Sequence, residues 1–325
     1  MDIFVKLEKN KKFMEKYNNY KKKKEMKAKK KRVSGKYTFE NRQKGCKNVC
    51  IILSGYKKYL WEDVFGRIAR FAPKENMDIC IVSSGLYSKE LSEIAEKNNW
   101  SYLSIAKNNV ALTQNIAIDV HPKAQKIFKL DEDIFITKNF FEQLLKTYET
   151  VEKTGEYKIG FVTPSIPING YNHVDVLKRV GLLEDFEKKF GKVCRNRGAE
   201  AEIVKNPNVA KYLWGETQEK FRNIDKLSKE FSQDEFSYTI CPIIFSIGAI
   251  LFNRELWEEM GRFIVTKGTS MGHDEVQICE HCMLESRAII VSGNTLVGHF
   301  SYGPQTEEMK KYYEKNRKIF KIKEV

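Results

Sequence analysis

Between residues 48 and 133 the chain repeats one pattern. Short apolar runs at 48–53, 77–82, 101–105 and 126–130 each stop at a polar loop. Runs of five or six residues are too short for buried helices and suit strands covered on both faces. The segments between them carry helical spacing. Leu60, Val64, Ile68 and Phe71 mark 60–71, which stops before Pro73, and further helices are expected at 88–97 and 110–120. The order β-α-β-α-β-α-β predicts an α/β fold with a mostly parallel sheet and helices on both faces. Such sheets bind ligands at the carboxyl ends of their strands. Ser54-Gly55-Tyr56, Ser83-Ser84-Gly85 and Asp131-Glu132-Asp133 all follow strands and are expected on that edge.

The third of these loops carries the strongest chemistry. Ile127-Phe128-Lys129-Leu130 runs into Asp131-Glu132-Asp133, and Ile134-Phe135 resumes the apolar run. Three acids beside apolar neighbours repel one another and pay for desolvation unless a cation sits between them. Asp131 and Asp133 are two apart, so they share one side of an extended strand while Glu132 points away. Oxygen ligation favours Mg²⁺ or Mn²⁺, which usually takes one or two carboxylates plus substrate phosphates.

Charge is concentrated at one end. Residues 1–32 hold 14 Lys or Arg against 4 Asp or Glu, so the remaining 293 residues account for only +4 of the net +14. Ile3, Phe4, Leu7, Met14 and Tyr17 form a rough helical face, followed by Lys21–Lys24 and 27–32. A basic amphipathic helix with a polybasic run reads as an anchor to anionic lipid. A solvated tail and a nucleic-acid contact are the other readings, and the Lys run lacks the aromatic platforms of the latter. Seven cysteines spread through 325 residues make no disulfide framework, so reduced thiols and a cytoplasmic setting are expected. No apolar run approaches the ~20 residues of a membrane helix.

Beyond the acids, a helix is expected at 138–154 and a strand at 159–163. Residues 171–240 form a charged, mostly helical or irregular insert. Strands follow at 242–252, 288–291 and 295–300, with helices at 254–263, 274–286 and 306–325. Rival motifs fail on context. There is no G-x-x-x-x-G-K-[ST] for an ATPase and no G-x-G-x-x-G after the first strand. Gly268-Thr269-Ser270-Met271-Gly272 lacks the buried strand that a serine elbow needs. Cys279 and Cys282, with His281 and His273, lack the second pair of a closed zinc site.

Taken together, 48–56, 78–85, 108–115, 129–135, 246–263, 272–278 and 297–303 resemble the GT-A class of nucleotide-sugar glycosyltransferases, in particular the bacterial family 2 type. The resemblance implies a Rossmann-like GT-A domain over 46–305, with a donor half (46–137) and an acceptor half (138–305) holding the helical insert. A basic arm (1–45) would precede it and a charged helix (306–325) follow. It implies that Asp131-Glu132-Asp133 is the DxD motif holding Mn²⁺ or Mg²⁺ against the donor diphosphate. Asp133 would be a direct ligand, Asp131 would contact ribose or a metal-bound water, and His299 would complete the shell. Ser54, Tyr56, Ser83 and Ser84 would flank the nucleoside, with Asn115 near the donor. Asp274 or Glu275 would be the general base of an inverting hexosyl transfer. The implied donor is a nucleotide sugar, with UDP-sugars first. The implied acceptor is a glycan or lipid-linked glycan of bacterial surface polysaccharide or glycoconjugate synthesis, met at the inner face of the plasma membrane. Ser83-Ser84 replaces the usual base-gripping acid, and the Asp-Glu order reverses the usual pair. A sugar-nucleotide pyrophosphorylase shares the sheet order, but 54–58 is a poor match to its Gly-rich basic loop. A nucleic-acid-binding protein using the arm is the reading from another class, and a nearly neutral body argues against it.

Overall fold

The structure, a computed structural model, describes residues 11–324, with side chains from Phe13 onward. Ile3, Phe4 and Leu7 of the apolar stripe lie outside the described residues. Helix α1 (Lys11–Lys31) runs straight through the polybasic stretch, because lysine is a good helix former and Phe13 stacks on Tyr17 one turn on. Its C-terminal end meets the body through Lys29 and Glu258 (3.0 Å) and through Arg32, which donates to the carbonyl of Arg262 (3.1 Å).

The expected alternation is present. Strands β1 (Tyr37–Glu40) and β2 (Asn48–Ser54) precede α2 (Trp61–Phe71), β3 (Met77–Ser84), α3 (Lys89–Lys97), β4 (Ser101–Ile105), α4 (Val110–Asp119) and β5 (Lys126–Asp131). After β6 (Ile134–Phe135) come α5 (Phe140–Thr154) and β7 (Lys158–Ser165). The insert then forms five helices: α6 (His173–Arg179), α7 (Leu183–Phe190), α8 (Glu202–Lys205), α9 (Pro207–Leu213) and α10 (Ile224–Gln233). The chain closes with β8 (Tyr238–Ile240), β9 (Ala249–Asn253), α11 (Arg254–Glu259), α12 (His273–Leu284), β10 (Arg287–Leu296), β11 (Gly298–His299) and α13 (Thr306–Asn316).

Nine strands form one sheet in the order β1-β4-β3-β2-β5-β9-β7-β10-β8, and β6 pairs with β11 in a separate ribbon. β2, β3, β4, β5, β7 and β10 run in one direction; β1, β8 and β9 run against them. Every residue of β3 is buried, as a strand covered on both faces requires. The core centres on Val49–Ile52, Ile79–Val82, Phe128, Leu130 and Ile250–Phe252.

Four sequence expectations need correction. The arm does not end at 45, since β1 pairs antiparallel with β4 at the sheet edge. Residues 242–248 are apolar yet form no strand, because their backbone is turned to side chains: Phe245 N–H donates to Cys279 Sγ (3.4 Å) and Ile247 N–H to Glu275 Oε2 (3.1 Å). The expected break near Gly293 is instead continuous strand, held by Gly293 N–H donating to the Ser237 carbonyl (2.8 Å). The C-terminal helix stops at Asn316, and Phe320 is fully buried with its carbonyl accepting from the buried Arg67 (3.2 Å).

Candidate active site

Pairing of β2 with β3 and β5 aligns Ser54 with Ser83 and Leu53 with Asp131, so the three polar loops do share one sheet edge. β5 ends at Asp131, the chain turns at Glu132 and Asp133, and β6 begins. Opposite Ile134, the β6–β11 ribbon places His299. The neighbouring Gly298 has to be glycine, because a Cβ there would lie 2.3 Å from the Trp214 ring. That tryptophan follows α9 of the insert, and its indole N–H donates to the carbonyls of His299 and Phe300 (3.1 Å each).

Leu53, Asp131, Asp133, Ile134 and His299 line a cavity of about 390 Å³ that also takes in Tyr56, Lys57, Lys129, Asp274 and Glu275. Its size lies within the range of small-molecule sites. A larger cleft of about 1110 Å³ lies at the amino ends of β2 and β3, beside Asn48 and Met77. Its charged lining residues, Arg70, Glu75, Lys138, Glu142, Asp225, Lys323 and Glu324, do not include the acids at the strand ends.

Each acid at the strand end has a different partner. Asp131 Oδ1 pairs with Lys129 Nζ at 2.7 Å, and that buried ammonium also donates to the Ile247 carbonyl at 2.8 Å. Burial raises the Asp131 carboxyl above its ordinary value, with Lys129 acting the other way. Glu132 turns to the opposite side. Its carboxylate accepts from the Gly55 and Tyr56 backbone N–H groups (2.9 Å each) and from the Trp61 indole (2.6 Å). Asp133 Oδ2 accepts from Lys57 Nζ and lies 3.6 Å from His299 Nε2. Burial works against the Asp133 charge, but Lys57 and His299 outweigh it and hold the carboxyl well below the usual range.

The donor set suits a hard divalent ion. His299 Nδ1 donates to the Ile168 carbonyl at 2.8 Å, which turns Nε2 toward Asp133. Among the described residues no three His, Cys, Asp or Glu side chains gather into a metal cluster. A divalent ion held here would have Asp133 and His299 as protein ligands and would take its remaining ligands from substrate oxygens.

On the facing side, α12 presents its first turn. Asp274 Oδ2 accepts from the Gln114 amide at 2.6 Å, and among the described residues its other oxygen has no hydrogen-bond partner. Glu275 is more engaged, ion-paired to Arg197 from the insert and accepting from Ile247 N–H. Burial nonetheless raises the Glu275 carboxyl.

Four residues expected to flank the donor have side chains engaged within the protein. Asn115 is fully buried; its amide donates to the Arg32 and Phe263 carbonyls, and its oxygen accepts from Trp257 Nε1 and Phe263 N–H. No hydrogen-bonding capacity is left for a ligand. Ser83 Oγ is spent on the Leu86 carbonyl and Tyr102 hydroxyl, and Ser84 Oγ on Asn108 and Asn109. Ser54 Oγ donates to the carbonyl of Ile52 in its own strand. Tyr56 remains at the cavity, largely exposed, with its hydroxyl donating to the Ser84 carbonyl. Ser270 is no nucleophile, since its buried hydroxyl pins the loop by accepting from Asn109 Nδ2 and Thr266 N–H. Cys279 and Cys282 are buried, with thiols pushed upward by burial, and serve the core.

Lys57, Lys129, Gln114 and Arg197 were not foreseen. Lys129 had a legible signal, a lone charge in an apolar strand two residues before Asp131. Arg197 had none within a uniformly charged insert.

No protein-family model matches the chain, and no curated protein does. Solved structures similar to it include a mannosyltransferase from Pyrobaculum calidifontis in complex with GDP-Man and Mn²⁺, at 15% identity over 84% of this chain and 62% of that one, with a TM-score of 0.44. S. aureus TarS in complex with UDP matches at 10% identity over 84% and 64%, with a TM-score of 0.48. GalNAc-T7 with UDP, GalNAc and Mn²⁺ matches at 10% over 80% and 45%, with a TM-score of 0.45. The chain spans less than two thirds of the length of each.

Proposed function

We propose that this chain is a GT-A-type glycosyltransferase that moves a sugar from a nucleoside diphosphate to a hydroxyl acceptor with inversion. The observation that carries the reading is the convergence of Asp133, His299 and Asp274 on one cavity at the carboxyl edge of the sheet. Asp133 and His299 would hold a divalent ion, with Asp131 fixed beside them by Lys129. Such an ion supplies Lewis-acid stabilisation of the negative charge that develops on a diphosphate leaving group.

The protein's own groups do the rest. Asp274 takes the proton from the acceptor hydroxyl with the oxygen that Gln114 leaves unbound, as a positioned carboxylate base does. Glu275 is the weaker base candidate because Arg197 and the Ile247 N–H already neutralise it. Tyr56, which lines the cavity and is exposed, would pack against the nucleoside. The donor is a nucleotide sugar, with UDP-sugars first, and the acceptor a glycan or lipid-linked glycan of surface polysaccharide synthesis.

The helix α1 fits the anionic inner face of a membrane. It carries Lys11, Lys12, Lys16, Lys21–Lys24, Lys27 and Lys29–Lys31 against two glutamates, and Lys29 near its C-terminal end hydrogen-bonds to the body. No helix among the described residues is long and apolar enough to cross a membrane.

The test is a panel of nucleotide sugars with Mn²⁺ or Mg²⁺, followed by release of nucleoside diphosphate. Turnover of one donor well above the rest is expected. No hydrolysis or transfer with any donor or metal would contradict the reading.

A further inference from the structure

Lys57 stands in this cavity as a cation of its own. It follows the β2 exit loop, which Glu132 fixes through the Gly55 and Tyr56 N–H groups. Its ammonium donates to Asp133 Oδ2, the same oxygen that faces His299 Nε2 at 3.6 Å. The Ile168 carbonyl can only accept, so it takes the Nδ1 proton and Nε2 is the ring nitrogen turned to that carboxylate. The Lys57 ammonium thus sits on the carboxylate oxygen that an added ion would use. The second lysine of the site differs. Lys129 is 3% exposed and doubly anchored, to Asp131 and to the Ile247 carbonyl, whereas the Lys57 side chain is 26% exposed and lies on a loop. Of the two, Lys57 is the one free to move.

We propose that Lys57 and a divalent cation compete for Asp133, and that the displaced ammonium is taken up by the donor diphosphate. The inference rests on the transferase reading for the diphosphate and on the geometry alone for the competition. An ion entering while Lys57 remains meets a like charge within a few ångströms, in a cavity where screening is weak. A diphosphate gives that ammonium a new anionic partner as it gives the ion new oxygens. Ion and nucleotide then bind cooperatively, and each weakly alone, because each relieves what the other would pay. Lys57 thus makes the metal site conditional on the donor.

The experiment titrates Mn²⁺ into the full chain and follows the free-ion signal by electron paramagnetic resonance. Wild type, Lys57→Met and Lys57→Arg are compared with and without UDP or GDP, after thermal melts show all three folded. Lys57→Met is expected to bind Mn²⁺ alone on the order of tenfold more tightly than wild type. Lys57→Arg is expected to resemble wild type. Nucleotide is expected to tighten Mn²⁺ binding strongly in wild type and much less in Lys57→Met. A methionine variant that binds Mn²⁺ no better than wild type, or an arginine variant that behaves like it, would overturn the competition. The titration needs no sugar transfer. Competition without transferase activity would overturn the functional reading alone, and transferase activity without competition would overturn this inference alone.

Discussion

The Trp61 indole donates a 2.6 Å hydrogen bond to Glu132, tying the acidic turn after β5 to the first turn of α2. The same carboxylate holds the Gly55 and Tyr56 N–H groups, so the middle acid organises the loop that carries Tyr56 and Lys57. Burial pushes the Glu132 carboxyl upward, and these donors work in the other direction.

Glu132→Gln turns one acceptor into an amide donor facing N–H groups. An unsatisfied buried donor costs about 1–3 kcal/mol, so the variant should unfold at lower urea and bind nucleotide more weakly. Unchanged unfolding and unchanged nucleotide affinity would show that Glu132 does not organise the loop.

Asp274→Asn should lower single-turnover transfer by on the order of 10²-fold or more while leaving donor affinity nearly intact, the signature of a lost general base. Glu275→Gln should cost less in transfer and act mainly by releasing Arg197. Wild-type rates in both would place the base elsewhere, with the insert the next region to search.

His173 gives the fold an acid sensitivity. It is buried in the insert, donates through Nδ1 to the Asn169 carbonyl, and is depressed to about 4 by burial and the nearby Arg195. The unfolded imidazole titrates near 6.5, so its stabilisation is complete above that pH and is lost as pH falls toward 4. Between pH 7 and pH 5 the loss should reach roughly 2 kcal/mol relative to His173→Gln. The raised carboxyls of Asp131 and Glu275 work in the opposite sense, which is why the variant is the reference. Parallel pH profiles for the two proteins in urea unfolding would contradict the assignment.

Removal of residues 1–27 keeps the Lys29 and Arg32 contacts and the edge strand β1. The shortened chain should retain donor hydrolysis but lose co-sedimentation with anionic vesicles. Salt should weaken vesicle binding of the full chain, as screening of polybasic segments requires. Equal pelleting of both forms, or equal pelleting with neutral lipid, would leave α1 without a membrane role.

The first four long strands and their helices were legible because short apolar runs and helical spacing alternate without ambiguity. β1 was not, since Tyr37-Thr38-Phe39-Glu40 is four residues long and half exposed, next to a charged arm. Residues 242–248 misled because burial without a hydrogen-bond ladder looks the same in sequence as a strand. In the site, Asp131 and Asp133 were readable as acids ending an apolar strand, whereas His299, Asp274 and Glu275 were singled out only through the family resemblance. Asn115 was not, because an asparagine with four internal hydrogen bonds is indistinguishable by type from one that binds a ligand. Arg197 and Gln114 reach the site through tertiary packing and left no local pattern.

The central claim is that the strand-end acids bind a nucleoside diphosphate through a cation at Asp133. Calorimetric titration of UDP and GDP, with and without Mn²⁺, into wild type and Asp133→Asn tests it most directly. The account predicts Mn²⁺-dependent binding in wild type and a loss on the order of 10²-fold or more in Asp133→Asn, with the fold intact. Equal Mn²⁺-dependent affinity in both proteins, or no nucleotide binding by wild type under any condition, would contradict it.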